Sequence, residues 1–326
     1  MRDFAHAFTL ASALCLSLAA ASGAFHVAQA QTYPVKPIRI ISPYSPGGLG
    51  DLLPRALAAG LTESLGQQVI VENKPGASQI IGMQAAAKAP PDGYTLVFGS
   101  VTSLAINPSA HKSLPYDPVR DFAPVALCVT TPLYLVVHPS IPATSVKELV
   151  AIAKSQPGKV TFASGGNGSS NHLAGELFKS LARVDLLHVP YKGAGPAMID
   201  VMAGHVALMF GAAGLAEAKA GKVRVLGVTS AKRSRTAPEL PTLSESGVPG
   251  YEATIWFGLL APAATPSAMV TRLSQTIGNV LTQPRLREQF NTLDVTPSTP
   301  YAFADLIRRE IPKWRKVIEG AKIAID

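Results

Sequence analysis

Two glycine-rich turns, each set between a short apolar strand and the start of a helix, constrain this chain more than any other feature. The first lies in residues 38–55, IRIISPYSPGGLGDLLPR. Ile38, Ile40 and Ile41 are β-branched and read as a buried strand. SPGGLGD is turn-forming, and a helical pattern follows in Leu52, Leu53, Ala56, Leu57, Leu61 and Leu65. Such a strand–turn–helix junction presents unbonded main-chain N–H groups and the positive end of a helix dipole to an anion. A second copy stands at residues 160–178, VTFASGGNGSSNHLAGELF. Two such turns in one chain predict two lobes that hold one small anionic ligand between them.

Residues 1–30 read as a targeting segment. Arg2 opens it, an apolar run from Phe8 to Ala21 follows, and Ala28-Gln29-Ala30 gives a small-x-small cleavage site before Gln31. Cys15 lies in the apolar run without a lipid-anchor motif, and no other stretch is apolar enough for a bilayer span. The expected mature protein is secreted to the periplasm and soluble. It keeps one cysteine, Cys128, which excludes an internal disulfide and reads as a buried thiol within 125–129. The formal net charge is +8, but the basic groups around Lys232, Arg233 and Arg235 and around Arg308 and Arg309 read as solvated faces. No nucleic-acid partner is expected, since basic and aromatic residues do not interleave. A mildly positive field favours an anionic ligand.

Strands alternate with helices along the chain. Strands at 38–41, 68–72 and 94–98 enclose helices at 51–65 and 80–88, a βαβαβ order that predicts a mainly parallel sheet flanked by helices. Pro54 is tolerable only within a first turn, which puts the helix start near Gly50 or Asp51. Apolar runs at 125–129 and 133–137 lead into a second series: helices at 146–154, 173–181 and 196–203, with strands at 159–163, 186–190, 206–210 and 223–229. A further strand at 255–260 precedes helices at 267–281 and 301–321. The expected division is a signal segment, 1–30; a first lobe, 31–131; a second lobe, 132–254; and a return to the first lobe, 255–326. Ligands in such sheets bind at the carboxyl ends of the strands.

Several stretches together resemble the Bug family, the extracytoplasmic solute receptors of tripartite tricarboxylate transporters. They are PYSPGGLGD, VENKPGA from Val71, PDGYTL from Pro91, SGGNGSSNHLAGELF, VPYKGAGPAMIDVMAGHVALMF from Val189, and WFGLLAP from Trp256. The resemblance spans the mature chain in order. It implies an α/β fold of the two-lobed periplasmic-binding-protein kind (type II), with a small carboxylate in a Venus-flytrap cleft and a membrane permease as partner. No enzyme activity, cofactor or metal is implied, and the protein is expected to act as a monomer. Relatives often carry an acidic residue where Ala207 stands and Asp or Asn near Gly211; here the run is VALMFGAAG. An amino-acid ligand is therefore expected to be disfavoured against di- or aromatic carboxylates.

The candidate ligand-binding residues fall in two groups. In the first, Gly47 and Gly48 allow close main-chain approach, with Ser45 beside them and Ser100 at the end of its strand. Tyr44 reads equally as cleft wall or core aromatic. Asp51 reads first as a helix cap and second as a holder of a bridging water. In the second group Ser164, Gly165, Gly168, Ser169 and Ser170 form an opposing clamp of neutral donors, and Ser170 or Asn171 doubles as the cap. His172 reads as a surface helix residue before it reads as a ligand donor. Tyr191 is placed to stack on or bond ligand, Lys192 reads as a cation for it or as plain surface, and Gly211 closes the group. Two other functions compete. A secreted dinucleotide-binding enzyme would use Gly166-Asn167-Gly168, but Asn171 holds the third glycine position and Tyr191 stands where an acid is needed. A carboxylate sensor feeding a signalling receptor would share the fold. No G-x-S-x-G elbow and no metal-ligand spacing occurs.

Overall fold

The structure, a computed structural model, describes residues 33–326 apart from 213, 291, 292, 296, 322 and 324–326. The expected signal segment and its cleavage site lie outside the described residues. Main-chain contacts set apart a compact body, Lys36–Asp326, and an N-terminal unit in which Tyr33-Pro34 is a cis peptide.

In the compact body the chain runs β1 (Ile38–Ser42), α1 (Leu49–Leu65), β2 (Val69–Asn73), α2 (Ile80–Ala87) and β3 (Thr95–Ser100). A π-helical turn, Thr102–Ile106, leads into the short α3 (Asn107–Ala110) and then β4 (Phe122–Pro132). The next stretch holds β5 (Tyr134–Val137), α4 (Val146–Ser155), β6 (Thr161–Ser164), α5 (Ser170–Ala182), β7 (Leu187–Pro190), α6 (Ala194–Met202), β8 (Leu208–Gly211), α7 (Gly214–Lys219) and β9 (Arg224–Val228). The chain ends with β10 (Thr254–Pro262), α8 (Ser267–Thr282), α9 (Pro284–Gln289), β11 (Asp294–Val295) and α10 (Pro300–Gly320). Sequence periodicity missed the helical passage around α3, and also α7, α9 and β11. All are too short to show a period, and α3 and α9 open on prolines.

Two sheets form, in the orders β11-β4-β10-β3-β1-β2 and β7-β6-β8-β5-β9. β1 pairs in parallel with β2 and β3, and β10 runs antiparallel to both β3 and β4. In the second sheet β6 is parallel to β7 and β8, while β5 opposes β8 and β9. Most strands of each sheet thus point one way; β5 and β10, which follow the two passages between sheets, are reversed, and so is the two-residue β11, antiparallel to β4. This is a two-lobed α/β architecture. One passage is only Leu133, between β4 and β5. Thr229, fully buried, ties it: the Thr229 hydroxyl bridges the Leu133 N–H (2.7 Å) and carbonyl (2.9 Å), and the Thr229 main chain bonds both Leu133 and Ala253.

The longest helices cover the first sheet with apolar stripes. α1 buries Leu53, Leu57 and Leu61 at helical spacing, and α10 buries Phe303, Ile307, Trp314 and Ile318. α8 and α10 both pack on β4 of the first sheet. Trp256 of β10 meets Phe303 of α10 edge to face at 5.8 Å. Cys128 is buried as expected, and burial pushes its thiol up to about 12. Among the described residues no helix is long and apolar enough to cross a membrane.

Gly258 lets α10 sit this close: a Cβ there would lie 2.4 Å from Phe303 Cζ and 2.7 Å from the Ala126 carbonyl. Gly258→Ala is expected to cost about 1–3 kcal/mol by overpacking, read as a lower urea midpoint at unchanged slope. An unchanged midpoint would contradict the close approach.

Candidate functional site

The first cluster sits where β1 ends. Helix α1 begins at Leu49 behind a Gly48 N-cap, earlier than the sequence placed it, so Pro54 falls in the second turn. Proline there has no N–H for the Gly50 carbonyl. Ser42, the last residue of β1, supplies the donor instead, Oγ to Gly50 O at 2.8 Å. Gly47 takes φ +97°, the left-handed region that suits glycine.

Asp51 fastens this turn. Its Oδ2 accepts the Gly47 N–H at 3.0 Å, and its Oδ1 accepts Arg55 Nε at 2.9 Å and Asn73 Nδ2 at 2.8 Å. The bond from Arg55 holds the buried carboxyl down to about 2. Asp51 therefore reaches back to the residue before the cap. Asn73 Nδ2 also holds the Tyr44 carbonyl at 3.0 Å.

Tyr44 is half-buried, its ring laid on Gly50, where a Cβ would come within 2.3 Å of it. Burial raises its phenol, and the Ser100 and Gln79 side chains offset part of that shift. Ser100 Oγ also donates to Gln79 Oε1 at 2.9 Å. Gln79 ends a run of three non-glycine residues at positive φ, Ala77, Ser78 and Gln79 (45°, 49° and 79°). Each such residue costs of order 1–3 kcal/mol, and such strain clusters at functional sites. Asn107 Nδ2 braces the run at the Ser78 carbonyl, 2.8 Å. Around this frame Ser45, Gly47 and Gly48 are exposed, and a Cβ on Gly47 or Gly48 would meet nothing within 4 Å. The first helical bonds run from Asp51 and Leu52 to the Gly48 carbonyl, so the N–H groups of Leu49 and Gly50 precede the ladder.

The second cluster sits where β6, β7 and β8 end. Ser169, one residue before the expected cap, is the N-cap of α5; its Oγ accepts the His172 N–H at 3.3 Å and donates to Gly166 O at 2.7 Å. Ser170 is half-buried at the first helical position. His172 is buried, not a surface residue, and its Nδ1 accepts the Gly168 N–H at 3.1 Å. It stacks on His188, centroids 3.8 Å apart, which stacks on Phe162 at 4.8 Å. Burial, then the neighbouring His188, lowers His172 to about 3; burial lowers His188 to about 4. Both imidazoles are neutral at pH 7.

Ser164 is fully buried. Its Oγ pairs with His188 Nε2 at 2.6 Å and accepts the Gly166 N–H at 3.1 Å, so it supports the turn from beneath. Gly165 lies against Ala194 and Asn171, and Asn171 Nδ2 donates to the Phe210 carbonyl beside Gly211. Tyr191 bonds Ser164 O through its N–H and gives its hydroxyl to Asp200 Oδ2 at 2.6 Å; burial first, and then this bond, push the phenol up to about 12. Lys192 is exposed.

The structure thus brings the predicted residues together as two clusters, Tyr44 to Ser100 on the first sheet and Ser164 to Gly211 on the second, each at the carboxyl edge of its sheet. Beside Gly211 a pocket of about 360 Å3 is lined by Met198, Met202 and Met209, with Ala194 at its mouth. Glu217 of α7 also lines it, with Oε2 buried and unpartnered among the described residues. Sequence reading found no acid near Gly211 because it looked along the strand; the acid arrives from the following helix. Asn73, Gln79, Asn107 and His188 were also missed, since each acts through a bond to a residue far off in the chain; Arg55, missed too, bonds Asp51 one helical turn away.

The family model described as tripartite tricarboxylate transporter family receptor, TctC, matches residues 53–323. Protein BugT of Bordetella pertussis is 38% identical over 301 residues, covering 90% of this chain and 92% of BugT. The structure of R. palustris Rpa4515 with adipate aligns at TM-score 0.79 and 35% identity, over 90% of this chain and 99% of that one. MatC from Rhodopseudomonas palustris with bound malate aligns at TM-score 0.76 and 29% identity, over 88% of this chain and 100% of that one.

Two expectations follow from the frames. His172 and His188 bind protons more readily in the unfolded chain, whose imidazoles titrate near 6.5, so stability is complete above that pH and falls as pH drops toward about 4 and 3. Urea midpoints should decline between pH 6.5 and 5, above the carboxylate range; a flat profile there would mean the rings are not buried neutral. Asp51→Ala strips acceptors from Gly47, Arg55 and Asn73 and is expected to cost about 1.5–3 kcal/mol, with faster amide exchange at Gly47 as the local signature.

Proposed function

The chain belongs to the tripartite tricarboxylate transporter receptor family, and we propose that it captures a small carboxylate between its lobes in the periplasm and presents it to a membrane permease. The supporting observation is the pair of turns whose polar side chains are already spent on the turns themselves. Asp51 and His172 hold the loops, and Ser164 and Tyr191 are bonded internally. Main-chain N–H groups and the hydroxyls of Ser45 and Ser170 then remain as donors to an anion, at two helix N-termini. Binding by amides and hydroxyls neutralises a carboxylate without burying a free cation. The adipate and malate bound to the two relatives are ligands of this class.

Closure of the lobes brings the two turns onto one ligand, and the closed form is the one the permease reads. The methionine-lined pocket gives an apolar ligand body room beside the second turn. An α-ammonium would lie next to its own carboxylate, at the turns, where the Asp51 carboxylate is already engaged by Arg55 and Asn73. Di- and aromatic carboxylates are therefore favoured over amino acids.

The test is a thermal-shift and calorimetry panel of adipate, malate, benzoate and glutamate. Saturation at 100 times Kd should stabilise the fold by about 2.7 kcal/mol, and glutamate should rank below adipate and benzoate. Gly48→Val projects its side chain into open space at φ −92°. It should cost about 1 kcal/mol of stability as a poorer N-cap while leaving the fold intact, and weaken binding about tenfold or more. Unchanged affinity would remove the first turn from the site.

A further inference from the structure

We propose that Met202 is an oxidation site: a peroxide converts its thioether to a sulfoxide and so lowers affinity for ligands with an apolar body, given that the methionine-lined pocket beside Gly211 seats that body. Three of the chain's six methionines, Met198, Met202 and Met209, line this one pocket of about 360 Å3. Met198 and Met202 stand one helical turn apart on α6, and Met209 comes from β8. Gly211 makes room for two of them: a Cβ there would lie 3.0 Å from Met198 Cε and 3.5 Å from Met209 Sδ.

The three side chains are not equally open. Met209 is wholly buried and Met198 is 6% exposed, whereas Met202 is half-buried, so solvent reaches it beside the exposed Ile199. Elsewhere Met83 is wholly buried, and Met269 is half-buried on α8, away from the pocket. The Cys128 thiol does not compete for oxidant, since it is buried and its pKa is pushed up to about 12. Among the described residues Met202 is thus the open sulfur of the pocket. A periplasmic location puts it outside the reducing thiol buffers of the cytosol.

In the reaction the sulfur lone pair takes up one oxygen of hydrogen peroxide. The S–O bond forms as the O–O bond breaks, the sulfur loses two electrons, and the other oxygen leaves as water. A strong acceptor then stands where the wall was apolar. The lining side chains hold no donor for it: the methionines, Ile199 and Ala194 are apolar, and Glu217 presents carboxylate oxygens. Covering that acceptor with an apolar ligand body is costly. A ligand that fills the pocket therefore binds more weakly, while a short polar acid held at the turns loses little. Bound ligand also shields the sulfur, and methionine sulfoxide reductases reverse the change.

The test treats the protein with hydrogen peroxide, follows the gain of one oxygen at each methionine by peptide mass mapping, and measures adipate, benzoate and malate by calorimetry before and after. Met202 and Met269 should oxidise well before Met83, and saturating adipate should slow Met202 but not Met269. Treatment should weaken adipate and benzoate about tenfold and malate by less than about twofold, and sulfoxide reductases A and B should restore the affinities. Met202→Leu should show the same affinities before and after treatment, whereas Met269→Leu should lose affinity as the unmodified protein does. Three results would each overturn the proposal: Met202 oxidising no faster than Met83, unchanged affinities once Met202 is fully oxidised, or a loss of affinity in treated Met202→Leu. An untreated protein that binds none of the three acids would refute the carboxylate reading instead, and the order of oxidation, read without ligand, would still decide whether Met202 is the open sulfur.

Discussion

One carboxylate sets the shape of the first turn. Asp51 is buried, and an arginine, an asparagine amide and the Gly47 N–H meet nearly all of its hydrogen-bonding capacity. A negative group beside an anion site would ordinarily repel the ligand. Here Arg55 cancels the charge within the lobe, and what reaches the surface is the orientation that Asp51 gives to the main chain. The Ser42 bond to Gly50 belongs to the same frame, since it restores the acceptor pairing that Pro54 removes from α1.

The second turn reaches the same end by neutral means. His172 accepts the Gly168 N–H, the stack of Phe162, His188 and His172 fills the space beneath, and Ser164 closes the bottom of the loop. Burial keeps both rings uncharged, so no cation lies under the clamp. One lobe thus uses an internally compensated ion pair and the other a stack of neutral rings, with the same kind of helix N-terminus on top.

Much of this was legible in the sequence. The apolar strands, the long helices and both glycine turns carry local signals: β-branched runs, helical spacing and punctuation by glycine and proline. The α/β alternation followed from them, and the family from the resemblance of several motifs in order along the chain. What stayed hidden were bonds between distant positions. Nothing near Asn73 in the chain says that it braces Asp51, 22 positions earlier. Nothing near His188 says that it sits against Ser164 and under His172. His172 read as a surface residue because a helix histidine is more commonly exposed, yet it is buried together with its neighbours Asn171 and Glu176. Pro54 misled in another way: the rule that places proline in a first turn assumes an unpaired carbonyl, and Ser42 removes that assumption. Gln79 was missed since its left-handed backbone is imposed by its surroundings and not by its own preference.

In the closure we propose, the Thr229 hydroxyl, clasping the single residue that separates β4 from β5, is the fulcrum. Any rocking of one lobe against the other leaves that clasp nearly still, while the loops at the sheet edges swing on long arms. A few degrees at the pivot become ångströms at the rim, so the gate can travel far without disturbing the buried packing around its axle.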